Sequence, residues 1–335
     1  RPIVLSEQTP TSTGYWAGRT GAALRDEGDH ARLWLGGEDR IPFLQRISTN
    51  DVRLLPGQGT VTVLTSPTAR IQAVLTVLAM PAGLLLLAGP GQGPALFNTL
   101  RTQIFFNDQV TLEGRGGALA QFNLLGPQAA SLLGQVGSHV DDLPLFGWRT
   151  LPIAGVDVTV QRHEGLGSAG FTLLTPAPAS LAVKAALLQA GAAPLNEAAY
   201  HTLRIEAGLP APGSELSEQV NPLEAGLRRF CHERKGCYTG QEIIARQITY
   251  DKVTTHLVGL LPEAMPAAEA KALAEGKQVG WVSSAIHSLA LQRPIALAFV
   301  RRPHHQPGAQ LTLQSGDQAI PAVVTLLPFT PAAPP

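Results

Sequence analysis

Short apolar runs alternate with polar turns through the first third of the chain. Residues 32–35 read as a strand, and the spacing of Ile41, Leu44 and Ile47 predicts a helix over 38–47, with Pro42 tolerable only in its first turn. Residues 60–64 and 71–79 read as strands joined by the turn Ser66-Pro67-Thr68-Ala69-Arg70, and 84–87 as a third strand. A helix over 94–104, strands over 109–112 and 118–125, and a helix from Pro127 to Leu133 follow, the proline sitting just inside the helix start. Beyond a Pro-rich passage the pattern predicts strands at 156–160 and 171–174, then helices over 179–190 and 196–208. An irregular loop runs to Val220, and Asn221-Pro222 starts a short helical piece. From Thr254 the helical spacing fades. Apolar runs recur at 256–260, 278–283, 295–300, 310–313 and 319–327, which predicts a small β-barrel or sandwich. Residues 1–28 show no sustained period and read as a loosely ordered lead-in; 329–335 read as a frayed tail.

Hairpin-like neighbours outnumber βαβ units, so the fold class predicted is α+β. Composition narrows the function classes. The chain of 335 residues has a formal net charge of zero and only 15% charged residues, with no basic stripe that would mark a nucleic-acid surface. Two cysteines argue against a disulfide framework and fit a reducing compartment. The longest apolar stretch is broken by Pro81 and Gly83, short of the ~20 residues of a membrane helix. The expectation is a soluble cytoplasmic protein with no membrane and no direct nucleic-acid partner.

Two glycine patterns mimic phosphate loops. Gly89-Pro90-Gly91-Gln92-Gly93 lies between a strand and a helix but completes neither nucleotide fingerprint. Gly165-Leu166-Gly167-Ser168-Ala169-Gly170 has the glycine spacing, yet a strand follows it, so no helix start is available for a pyrophosphate. Both read as turns. Cys231-His232 with Cys237 matches no closed zinc pattern, and no metal site is expected.

Two segments carry candidate chemistry. In Lys235-Gly236-Cys237-Tyr238-Thr239-Gly240-Gln241-Glu242, Thr239 and Glu242 have the spacing of a capping box ahead of Ile243-Ile244. That places Cys237 just outside a helix N-terminus with Lys235 two residues back, and both features favour thiolate. A reactive thiol and a small residue packed in a turn are both open readings. In the helix over 196–208, Tyr200, Leu203 and Glu206 share one face. A carboxylate on an apolar face needs a partner. An arginine such as Arg204 or Arg246 would make an ion pair; a planar ligand with adjacent N–H donors would be held beside Tyr200.

The octet resembles the signature of the YgfZ family, folate-binding proteins related in fold to the glycine-cleavage T-protein, an aminomethyltransferase. Further similarities run from Phe43 to Val52, at Leu125-Gly126-Pro127, from Leu203 to Pro210, from Asn221 to Leu227, and at Val279 to Ala285 with Ala296 to Val300. The resemblance implies a T-protein-like folate-binding fold: two interleaved α+β parts over 29–252 and a C-terminal β-barrel over 253–328. It implies tetrahydrofolate as cofactor, bound by Glu206, Tyr200 and Arg246, with Cys237 and Lys235 as the reactive pair. The implied role is an accessory factor for iron–sulfur cluster assembly or repair, indirectly supporting tRNA modification, with iron–sulfur enzymes or cluster-assembly proteins as partners. The alternative is a folate-dependent aminomethyl or methyl transferase. Against it, the stretch Thr68 to Val74 lacks the acidic pair that T-proteins place after a glycine turn.

Overall fold

The computed structural model describes residues 3–4 and 12–329. In chain order the elements are β1 (Ile3–Val4), α1 (Ser12–Thr20), β2 (Ala23–Asp26), β3 (His30–Gly36) and α2 (Arg40–Ile47). Then come β4 (Gly59–Thr65), β5 (Ile71–Met80), β6 (Gly83–Pro90), α3 (Gly93–Gln103), β7 (Thr111–Gly114), β8 (Leu119–Leu125) and α4 (Ala129–Gln135). The next group is β9 (Trp148–Ile153), β10 (Val156–His163), β11 (Gly170–Pro176), α5 (Ser180–Gln189), β12 (Ala193–Pro194), α6 (Glu197–Glu206) and α7 (Gln241–Thr249). Strands β13 (Thr255–Pro262), β14 (Lys271–Ala274), β15 (Lys277–Ser288), β16 (Arg293–Arg301), β17 (Gln310–Ser315) and β18 (Gln318–Thr325) finish the chain.

Three sheets organise these elements, and the α+β expectation holds. The first is ordered β4-β5-β6-β3-β7; the second is ordered β12-β2-β8-β11-β10-β9. The third runs β15-β14-β17-β18-β13-β16 and closes through β15–β16 into a six-stranded barrel, with β1 added in parallel on β15. Closure removes the sheet edges that would otherwise invite strand pairing with another chain. The alternating residues of each sheet divide between a core and a second face. On β8, Phe122 and Leu124 enter the core beneath α4 and α5, whereas Gln121 and Asn123 face the other way. On β5, Leu75 and Val77 pack under α2 and α3.

The stretch 1–28 is not a loose lead-in where it is described. Its apolar runs, such as Tyr15-Trp16-Ala17 and Ala22-Ala23-Leu24, are too short to show a period, and tertiary packing sets their conformation. Helix α1 packs on α6, with Tyr15 fully buried, and β2 is a central strand of the second sheet. Gly18 permits the approach, since a Cβ there would lie 2.5 Å from a Leu203 methyl. Residues 1–2 and 5–11 lie outside the described residues. At the other end, residues 330–335 lie outside them too, while Phe329 donates its backbone N–H to the Glu206 carbonyl.

The predicted capping box does not form. Gly240, with φ 81°, is the residue ahead of α7, and no side chain caps it. Thr239 is held instead by its neighbours: its N–H donates to the Arg46 carbonyl, and its carbonyl accepts from the Thr65 hydroxyl at 2.6 Å. A Cβ on Gly240 would lie 2.8 Å from the Ser66 carbonyl oxygen, so glycine is needed both for the left-handed backbone and for the close approach.

Candidate functional site

A cleft opens between the second faces of the first two sheets. Its two lobes, of about 260 and 270 Å³, share Val61, Val74, Asn123, Phe146, His163 and Leu216, and so form one space. Strands β4, β5 and β6 give one wall, apolar except for Thr76. The opposite wall is polar because one row of side chains crosses the second sheet. Arg25 on β2 is paired with Asn123 on β8, Asn123 with Thr172 on β11, and Thr172 with Gln161 on β10.

Glu27, just after β2, is the carboxylate of this wall and is 4% exposed. Its Oε1 accepts from Arg25 at 3.0 Å and from the Asn123 amide at 3.2 Å, and its Oε2 accepts from the Gln121 amide at 2.8 Å. His163 closes the chain. Its Nδ1 accepts the Gly165 N–H at 3.0 Å, so the proton is on Nε2, which donates to Asn123 Oδ1 at 2.9 Å. Burial keeps this imidazole neutral, its pKa pushed down to about 4. The glycine-rich run at 165–170 is thus the hairpin between β10 and β11, and it orients a cleft histidine. Arg25 also stacks over the Tyr200 ring at 3.7 Å and pairs with Glu197 at 2.9 Å. Arg229 and Glu164, joined to each other, line the second lobe.

The residues singled out from sequence divide. Tyr200 lines the second lobe of the cleft. Glu206 does not. Only 1% exposed, it accepts from the Tyr15 hydroxyl at 2.9 and 2.8 Å, from Arg19 at 3.0 Å and from the Ser288 hydroxyl at 2.6 Å. The ion pair weighed as one of its two partners is present, but the arginine comes from α1 rather than being Arg204 or Arg246. Its carboxylate ties α1, α6 and the barrel together, which leaves it no part in the cleft wall. Arg246 is exposed on α7 and lines neither lobe. Arg204 meets Glu215 at 2.9 Å, both fully buried, and joins Ser284 of the barrel at 2.9 Å.

Lys235 and Cys237 also separate. The Lys235 ammonium donates to the carbonyls of Gln45, Ser48 and Asn50 at 2.7, 2.6 and 2.7 Å, closing the end of α2. All three of its protons are committed there. Burial pulls its pKa down to about 8, while the three carbonyls favour the charged form. Cys237 is a free, exposed thiol outside the cleft; Cys231 is buried, and desolvation raises its pKa to about 12.

Sequence reasoning missed Glu27, Arg25, Gln121, Asn123 and His163. The polar-apolar alternation Gln121-Phe122-Asn123-Leu124 was the available signal for a wetted sheet face. Four-residue β2 offers no such window.

Comparison with known proteins agrees with this architecture. The GCVT N-terminal domain matches residues 7–235, and the glycine cleavage T-protein C-terminal barrel domain matches residues 256–330. The chain belongs to the glycine cleavage T-protein family. An aminomethyltransferase of Moorella thermoacetica is 31% identical over 324 residues, covering 93% of this chain and 87% of the relative. A chloroplastic protein of Arabidopsis thaliana, provisionally named a transferase, is 30% identical over 313 residues, covering 92% of this chain and 71% of the relative. The crystal structure of the glycine cleavage system aminomethyltransferase T from Bartonella henselae superposes with a TM-score of 0.86 at 22% identity, covering 96% of this chain and 89% of that one. Among the described residues no helix is long and apolar enough to cross a membrane.

Proposed function

We propose that this protein binds tetrahydrofolate in the cleft between its first two sheets and acts as an accessory factor for iron–sulfur cluster assembly or repair. The observation that carries the reading is the division between a cleft with one apolar and one polar wall and an exposed thiol lying outside it. The cleft suits a flat heteroaromatic ligand with a polar edge. Cys237 is accessible to a partner protein in the octet that resembles the YgfZ signature. Support of tRNA modification would follow indirectly, through the clients. The β5 wall offers Val74 and Thr76 but no carboxylate to assist chemistry at a folate nitrogen.

A second reading, transfer of an aminomethyl or methyl group to the folate, is favoured by the names its relatives carry and by Glu27, a carboxylate the cleft does hold. The experiment is a tetrahydrofolate titration of the purified protein, followed by two assays. Activity of iron–sulfur enzymes is measured in cells lacking the protein and supplied with wild type or Cys237→Ser. Turnover of an aminomethyl donor with tetrahydrofolate is measured in vitro. Binding without turnover, with Cys237→Ser failing to restore the enzymes, supports the accessory role. Turnover that survives Cys237→Ser supports the transferase reading instead, and absence of folate binding overturns both.

A further inference from the structure

We infer that Glu27 and Gln121 form the recognition pair of the cleft, accepting the N–H donors along one edge of a planar amino-pyrimidinone. The inference rests on the folate reading and assigns which residues select the ligand's ring. Neither was singled out from the sequence, and the residue expected to do this, Glu206, is occupied elsewhere.

The donor and acceptor count on this wall carries the argument. Ionised Glu27 has about four acceptor positions. Among the described residues, Oε1 takes Arg25 and Asn123 and Oε2 takes only Gln121, so one position on Oε2 stays open. Gln121 is 4% exposed and gives its amide N–H to Glu27, while its own Oε1 is buried without a partner. A buried amide oxygen left unpaired costs free energy that a donor on a ligand recovers. Two acceptors thus stand on neighbouring residues of one polar wall. The two nearest donors are committed: Asn123 is clamped between Glu27 and His163, and Arg25 between Glu27 and Glu197, while His30 Nε2 lies 3.7 Å from Glu27 Oε1, the oxygen already taken.

The chemistry of that pair is one-sided. Both atoms accept and neither donates, and the wall facing them is apolar except for Thr76. A 2-amino group with the adjacent ring N–H supplies two parallel donors, and the flat ring fills the space against Val74 and Leu87. Arg25 holds the Glu27 carboxylate in place before any ligand arrives, so the site is preorganised.

The test reads discrimination instead of affinity alone. Dissociation constants for 5-formyltetrahydrofolate and for 2-desamino-2-methyl-tetrahydrofolate folate analogues with matching N5 substitution are measured by calorimetry on wild type, Glu27→Gln, Gln121→Met and Glu206→Gln. Wild type should prefer the 2-amino compound by about 10–100-fold, the range of a charged hydrogen bond. Glu27→Gln should reduce that preference to below about threefold, and Gln121→Met should reduce it partly while keeping the Arg25–Glu27 pair intact. Glu206→Gln should keep it in full. If Glu27→Gln and Gln121→Met both retain the wild-type preference, the assignment is wrong although folate binding stands. Should wild type bind neither compound, the folate reading itself falls and takes the assignment with it.

Discussion

The ammonium of Lys235 sits 2.6 Å from the carbonyl oxygen of Ser48, 187 positions away in the chain. This contact, with those to Gln45 and Asn50, moors the octet loop on the C-terminal end of α2. It makes Lys235 a structural cap rather than a partner of the neighbouring thiol.

Replacing Lys235 by Met should therefore leave three carbonyls short of a donor and lower stability by about 2–4 kcal/mol, read as a shift of the urea midpoint. Under native conditions the reaction rate of Cys237 with a disulfide reagent should change by less than about threefold. A tenfold slowing in a folded variant would return Lys235 to the role of activating the thiol.

The two cysteines should be separable by reactivity. Native protein should titrate one fast thiol equivalent with Ellman's reagent, because Cys237 is exposed and Cys231 is buried with its pKa raised to about 12. Cys237→Ser should abolish the fast phase, and the second thiol should appear only in denaturant.

The Glu206 cluster predicts how the N-terminal helix is held. Tyr15→Phe removes the hydroxyl that contacts both carboxylate oxygens and should cost about 1–3 kcal/mol. Limited proteolysis should then cut first around α1. Glu206→Ala should cost more, since it strands Tyr15, Arg19 and Ser288 together. If folate affinity fell tenfold while the unfolding midpoint stayed put, Glu206 would belong to the ligand after all.

Acid should expose the Glu197 contacts. The hydrogen bond with His201, and then Arg25, hold this carboxyl at a pKa of about 2, below its unfolded value of ~4.3. A depressed carboxylate stabilises the fold above its unfolded pKa, and that contribution disappears as pH falls through the folded value. The stability difference between wild type and Glu197→Gln should be about 1 kcal/mol near neutral pH, modest because the side chain is half exposed, and should shrink steadily as pH falls from ~4.3 through the folded value. A difference that did not shrink on that descent would show that charge is not its source.

Most strands and helices were legible in the chain because a half-buried element writes its period locally. The alternation along 71–79 and the spacing of Ile41, Leu44 and Ile47 need no distant partner to be read. The six barrel strands largely announced themselves in the same way, with four-residue β14 missed. Which polar group meets which is set by side chains far apart in sequence, and no local pattern encodes it. Glu206 looked like a ligand carboxylate, but Tyr15, Arg19 and Ser288 reach it first. Glu27 looked like part of a loose end, yet pairing of β2 with β8 seats it among Arg25, Gln121 and Asn123. The sequence by itself determined most of the elements with a local period, the family resemblance and a cysteine set in a polar, glycine-bearing octet. Only the tertiary structure decided which carboxylate is neutralised inside the scaffold and which is left with an open acceptor in the cleft, because burial forces every charge to find its partner wherever the chain brings one.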